Sequence, residues 1–239
     1  MNQLESCNPW PIIFKTKYDF DFENKLKDKT VSSLRAADRF IKSMDMPTPE
    51  KAGGVTSVVI AQDQKYPMPH EWPELVEFEQ FVMRSSREII RKWHCEPDCE
   101  KAVLKSWINV HPQGAYTEAH NHYGSFIAVA AYLHVPKNGG NLLVKNPLTS
   151  YKFGDPIHRQ YFSEDEGRDG LEWSQIEVTT GDVLFFPGWL THKTQKNMSK
   201  ENRFVMSWNL SVATDAQMEV VHKNKYSRRD TNYTNSFIS

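Results

Sequence analysis

Apolar positions fall at helical spacing along the first hundred residues, whereas beyond them they cluster in short runs broken by turns. Over residues 20–42, Leu26, Val31, Leu34 and Phe40 form one stripe, and over 71–93 so do Leu75, Phe78, Phe81, Val82, Ile89 and Ile90. Both spans are expected to be helices that bury those side chains, since a packed helix needs an apolar face at that period. Residues 10–15 are apolar enough for an opening strand. Ala52-Gly53-Gly54 and Tyr66-Pro67-Met68-Pro69 read as loop punctuation between the helices. From residue 103 the expected strands are 103–110, 116–122, 127–135, 141–144, 176–179, 183–186 and 203–212. Turn signals separate them at Pro112-Gln113-Gly114, at Pro136-Lys137-Asn138-Gly139-Gly140, at Gly154-Asp155-Pro156 and at Gly181-Asp182. This many short strands implies a sandwich or barrel. The expected architecture is mainly β with a helical N-terminal cap.

A chain of 239 residues can bury one sizeable core, so a single domain over 1–239 is expected. It divides into a helical and irregular cap (1–102), a β core (103–212) and a polar tail (213–239). No Pro/Gly/Ser-rich linker separates cap from core. The polar stretch 155–172, with Gly167 and Gly170, reads as a long excursion between strands, either a lid over a site or a surface loop. The net charge of −1 gives no field that would gather nucleic acid or an anionic membrane. No apolar run approaches a bilayer span, and the first residues lack a signal-peptide pattern, so a cytoplasmic protein is expected. Three cysteines make no disulfide framework. His94-Cys95 with Cys99 reads as a thiol pair beside a polar loop rather than a zinc site, because no second cysteine pair accompanies it.

The chemistry concentrates in His120-Asn121-His122, in His192 downstream of Gly181-Asp182-Val183-Leu184-Phe185-Phe186-Pro187, and in Arg203. On a strand, residues two apart share a face, so His120 and His122 can present two imidazoles to one point. His192, from a distant strand, would complete a three-ligand face and leave the opposite positions of an octahedral metal open. The remaining histidines, His70, His94, His111, His134, His158 and His222, are assigned to ordinary hydrogen bonding. The bland reading of the trio is a barrel whose histidines line a polar pocket. Period two along 203–210 places Arg203, Val205, Ser207 and Asn209 on one face. A guanidinium aimed into a barrel calls for an anion, and a carboxylate is its natural bidentate partner. That partner is either an acidic cosubstrate or a local Asp or Glu in a structural salt bridge. Asn109 and Asn209 could hydrogen-bond ligands or metal-bound water, or satisfy backbone.

These segments, together with Ala131-Tyr132-Leu133-His134-Val135-Pro136 and Gly139-Gly140-Asn141-Leu142, resemble the 2-oxoglutarate- and Fe(II)-dependent oxygenases. Within them the closest likeness is to the His-x-His oxygenases of marine bacteria and of tailed phages infecting cyanobacteria. The likeness covers about residues 103–212 and implies a double-stranded β-helix, or jelly roll. It also implies Fe(II) held by His120, His122 and His192, with Arg203 on the far carboxylate of 2-oxoglutarate and O2 as oxidant. Tyr132 would assist with its hydroxyl, and Ser207 would stand in for the serine that relatives carry at the position of Val205. Most of the superfamily places an acid where His122 stands, so the donor set would be three imidazoles unless Glu118 or another acid reaches in. The implied reaction is hydroxylation of a C–H bond in a small-molecule or peptidyl substrate, with 2-oxoglutarate decarboxylated to succinate. Gly114 and the pair His120, His122 also approximate a cupin opening, although the glutamate that should follow is missing. A three-histidine dioxygenase independent of 2-oxoglutarate is therefore the alternative, and a non-catalytic jelly-roll binding module the other.

Overall fold

The computed structural model describes residues 5–6, 12–44, 53–61, 65–93, 100–147 and 173–213. The cap contributes β1 (Glu5–Ser6), β2 (Phe14–Lys17), α1 (Lys27–Ser43), β3 (Val55–Thr56) and α2 (Val76–Lys92). The core follows with β4 (Glu100–His111), β5 (Ile127–His134), β6 (Leu142–Lys145), β7 (Trp173–Ile176), β8 (Asp182–Pro187), β9 (His192–Thr194) and β10 (Arg203–Ala213). Two antiparallel sheets result. The larger runs β1-β2-β8-β5-β10-β4-β3 and the smaller β7-β6-β9. The chain changes sheet between β5 and β6 and again at each step from β7 to β10, as the expected double-stranded β-helix requires.

Alternation along the central strands explains why the larger sheet is covered on both faces. Val129, Ala131 and Leu133 of β5, Val183 and Phe185 of β8, and Met206 and Trp208 of β10 pack with Leu34 of α1 and with Phe78, Val82, Ile89 and Ile90 of α2. The intervening residues Ala128, Ala130, Tyr132, Leu184, Phe186 and Val205 meet Leu142, Val144 and Ile176 of the smaller sheet. β5 is thus buried on both faces. α2 is charged to suit its dipole, with Glu77 and Glu79 in the first turn and Arg91 and Lys92 in the last.

Several expected boundaries move. The second helix begins at Val76, because Pro69 and Pro73 open two short 3-10 turns ahead of it. The first begins with a π-helical turn at Phe22–Leu26 after Asp21, whose φ of 43° breaks the backbone there. Leu26 and Leu34 are buried as expected, but Phe40 is 37% exposed and lies off the packed stripe. The strand expected at 176–179 is instead β7, ending at Ile176, since Thr179 turns toward Asp182, which accepts its N–H at 2.6 Å. Residues 116–122 form no strand; His120 makes a single isolated bridge to His192. The strand expected at residues 10–15 is β2, Phe14–Lys17, a little later than expected. The cysteine cluster around Cys95 and Cys99, the excursion 155–172 and the tail lie outside the described residues. No helix among the described residues is long and apolar enough to cross a membrane.

Candidate metal centre

His120 and His122 sit on the connection between β4 and β5, and His192 opens β9 in the opposite sheet. The backbone ties these segments directly. His120 N–H donates to the His192 carbonyl at 3.0 Å, His192 N–H returns the bond at 2.9 Å, and His122 N–H donates to the Gly188 carbonyl at 2.8 Å. Gly188 is required by proximity, since a Cβ there would lie 2.1 Å from the Ser125 carbonyl oxygen. The expectation of two imidazoles facing one point therefore holds without a strand.

The rings converge, with centroids 5.1 Å (His120–His122), 4.3 Å (His120–His192) and 5.0 Å (His122–His192) apart. One nitrogen from each lies within 4.8 Å of the others. His120 Nδ1 faces the Glu118 carbonyl at 2.8 Å, and His192 Nδ1 faces the Leu190 carbonyl at 2.9 Å. Each carbonyl takes a proton from Nδ1, fixes the ring and leaves the Nε2 lone pair free. His122 Nε2 lies 3.3 Å from His192 Nε2. Two cis ligands at ~2.1 Å from a metal stand about 3.0 Å apart, so this edge fits a bound cation. Burial, then the neighbouring His120, pulls His122 down to about 4 and His192 down to about 3. Both are neutral, ligand-competent imidazoles at ordinary pH. No acid joins the trio among the described residues. Glu118 is exposed and accepts from the Tyr116 hydroxyl at 2.8 Å, so it does not complete the donor set here.

The imidazoles open on a cavity of about 70 Å3 between the sheets, lined also by Tyr132, Asn109 and Ser207. Asn109 Nδ2 donates to Ser207 Oγ at 3.3 Å. Asn209, one step further along the same face of β10, is not in the cavity lining, and its Oδ1 is buried with no hydrogen-bond partner. Trp107 and Phe186 supply apolar wall, their rings 5.6 Å from His122 and 4.7 Å from His192.

Arg203 is fully buried. The local acid that could have paired with it is not there: among the described residues no carboxylate lies within salt-bridge distance of its guanidinium. Its fork is nonetheless occupied. Nη1 donates to the Gly139 and Gly140 carbonyls at 2.7 and 2.9 Å, and Nη2 donates to Thr194 Oγ1 at 2.9 Å and the Gln195 carbonyl at 3.4 Å. Nε is buried with no partner. Burial lowers the guanidinium's pKa from its ordinary value, but an arginine remains a cation.

Sequence reasoning passed over three polar residues of this cavity. His111, directly opposite Arg203 in the β4–β10 register, is buried, and its Nε2 lies 2.7 Å from Thr117 Oγ1. Thr117 and Thr194 line the cavity with it. The available signal was the alternation Trp107, Asn109, His111 along β4, which places all three on one face.

Residues 105–209 match the family model described as "Putative 2OG-Fe(II) oxygenase". No curated protein matches the chain. Among solved structures, a 2OG-Fe(II) oxygenase family oxidoreductase from Burkholderia pseudomallei is similar at 14% identity over 59% of this chain and 57% of that one, TM-score 0.41. HygX from Streptomyces hygroscopicus, with nickel and 2-oxoglutarate bound, is similar at 10% identity over 84% of this chain and 83% of its own, TM-score 0.48. A Pseudomonas putida prolyl-4-hydroxylase is similar at 11% identity over 84% of this chain and 93% of its own, TM-score 0.45. The family-model match supports the 2-oxoglutarate/Fe(II) oxygenase superfamily for this chain. With the imidazole triad it supports Fe(II) and 2-oxoglutarate as cofactor and cosubstrate.

Proposed function

We propose that this protein is a 2-oxoglutarate- and Fe(II)-dependent dioxygenase that hydroxylates a C–H bond of a small-molecule or peptidyl substrate in the cytoplasm. The observation that carries the reading is one cavity on which three imidazoles converge, with a buried arginine behind its wall that no carboxylate among the described residues reaches. His120, His122 and His192 would hold the metal. When bound, Fe(II) supplies oxygen activation coupled to oxidative decarboxylation of 2-oxoglutarate: one oxygen atom goes to succinate, carbon dioxide leaves, and the other atom becomes the product hydroxyl.

The chain's own part is placement and exclusion. The carbonyls of Glu118 and Leu190 keep two ligand rings in their working tautomer, while Trp107 and Phe186 keep water from the ligand edge. Tyr132 and Ser207 offer hydroxyls, and Asn109 an amide, along the wall where a dicarboxylate would lie. With no acid in the donor set among the described residues, the charge of a divalent cation would be offset by that dianion.

The all-imidazole donor set favours one other reading, a three-histidine dioxygenase that needs no 2-oxoglutarate. Oxygen uptake by the Fe(II)-loaded protein over a panel of candidate substrates, with and without 2-oxoglutarate and with succinate quantified, separates them. Uptake coupled to succinate is expected. Uptake without the acid would transfer the case to the second reading, and neither uptake nor succinate would leave a binding module.

A further inference from the structure

The inward face of the larger sheet continues past the cavity wall. Along β10 the inward positions are Arg203, Val205, Ser207 and Asn209, and the β4 residues opposite them are His111, Asn109, Trp107 and Lys105. The last of these rungs, Lys105 with Asn209, meets Ala128 of β5, which pairs in turn with Phe186 of β8. The Phe186 ring lies 4.7 Å from that of His192, and Trp107, one rung inward, lies 5.6 Å from His122. The rung therefore borders the metal edge on the side away from Arg203, about 7 Å along the strand from Trp107. A register shift after Asn209 pairs Leu210 with Val103 and leaves Leu104 without a partner on β10, the kind of bulge that re-aims a side chain beside a site.

Two polar groups of this rung are uncommitted. Asn209 Oδ1 is buried and accepts no hydrogen bond, so neither a described donor nor bulk water satisfies it. Lys105 is half-buried, and among the described residues its ammonium meets no carboxylate and no hydrogen-bond acceptor. A cation and an amide acceptor directly across a strand pair, about 5 Å apart at Cβ, are completed together by an anionic group that carries a donor next to it.

We propose that Lys105 and Asn209 select the substrate: Lys105 binds a free carboxylate, Asn209 Oδ1 accepts from an N–H adjacent to it, and the rest of that acid reaches the metal edge. The inference rests on the reading that this edge oxidises a substrate. It narrows that substrate from a residue within a peptide, whose backbone offers no carboxylate, to a small N–H-bearing acid.

The test is NMR line broadening by the protein loaded with Mn(II) and 2-oxoglutarate, over two matched sets of probes. One set is the N-acetyl amino acids; the other is their N-methylamides, which keep the N–H and side chain but mimic an internal peptide residue. At least one acid should be broadened near Mn(II), with its methylamide at least about tenfold weaker. Lys105→Met should weaken that acid on the order of 10- to 100-fold, the loss of a charge-assisted contact, while Lys105→Arg retains it. Both variants should bind Mn(II) and 2-oxoglutarate as the wild type does. Asn209→Leu should weaken the same acid and raise the melting temperature of the ligand-free protein by at least about 2 °C, because it removes a buried oxygen that the fold leaves unsatisfied. The proposal is overturned if no acid is broadened, if the methylamides bind equally, or if Lys105→Met leaves acid affinity unchanged. Loss of 2-oxoglutarate binding in Lys105→Met would also overturn it, by giving the lysine to the cosubstrate, and a lowered melting temperature in Asn209→Leu would do so by making that amide structural. Acids bound through Lys105 in an Mn(II)-loaded protein that binds no 2-oxoglutarate would instead refute the dioxygenase reading and leave this site standing.

Discussion

Gly188→Ala gives the sharpest test of how the metal centre is assembled. The added Cβ would stand 2.1 Å from the Ser125 carbonyl oxygen, 2.8 Å from the Ser125 carbonyl carbon and 3.0 Å from the His122 carbonyl oxygen. Ordinary carbon–oxygen contact begins at about 3.3 Å, so the 122–126 turn must retreat by roughly 1 Å. The obstacles are backbone atoms, and no side-chain rotamer can relieve them. The turn is itself bonded on both sides, by Ser125 N–H to the His122 carbonyl at 3.1 Å and by Gly188 N–H to the Phe126 carbonyl at 3.1 Å. Overpacking a tight site costs about 1–3 kcal/mol, and this contact belongs at the upper end. That corresponds to a fall in melting temperature of roughly 6–12 °C for a chain of this size. The same retreat carries His122 away from His192 and opens their 3.3 Å edge, so Mn(II) affinity should drop by about tenfold or more. Gly124→Ala is the matched control: its φ is +79° but nothing lies within 4 Å of the new Cβ. It should cost only the left-handed backbone strain, about 1–2 kcal/mol, and leave metal affinity close to wild type. Thermal melts of the metal-free proteins and Mn(II) calorimetry read both quantities. A Gly188→Ala protein with wild-type melting temperature and wild-type metal affinity would refute the reasoning.

Replacing His120 or His192 by Ala should abolish stoichiometric Mn(II) binding, and full retention in a metal titration would remove that residue from the centre. The buried histidines also predict a pH dependence. His111, His122 and His192 sit well below the ~6.5 of an unfolded histidine, so between that value and about 4 the unfolded chain binds protons that the native one does not. Metal-free stability should therefore fall as pH drops from 6.5 toward 4, and urea midpoints that stay flat across that window would contradict the burial of these rings. Trp208→Ala removes a side chain with no exposed surface that meets Phe78 edge-on at 5.3 Å, at an expected cost of about 3–5 kcal/mol. A denaturation midpoint corresponding to less than about 1 kcal/mol would deny Trp208 its place in the sheet–helix core.

What the sequence made legible was whatever depends on short-range period. The stripe Phe78, Val82, Ile89 and Ile90 and the alternation along β5 and β10 carry their meaning within a few residues, and so did the pairing of His120 with His122. What it hid depends on partners far along the chain. Residues 116–122 have the composition of a strand, yet their backbone is shared between His192 on one side and Gly188 on the other, which leaves no continuous ladder. Burial of Arg203 followed from its face of β10, but the commitment of its fork did not, because nothing in the Gly139-Gly140 turn names a partner for its carbonyls. His111, Thr117 and Thr194 are ordinary polar residues until the fold brings them to the lining of one cavity. Phe40 fits the stripe of α1 in sequence and misses the core in space, where it is 37% exposed.

The mutual main-chain bonds between His120 and His192 have a consequence for how this scaffold can drift. Two donors more than seventy positions apart are fastened by groups that every amino acid but proline possesses, so their spacing survives exchange of Asn121 or Lys193 for almost anything else. Lineages built on such a clasp are at liberty to remodel the walls for new guests while the heart of the barrel keeps its shape.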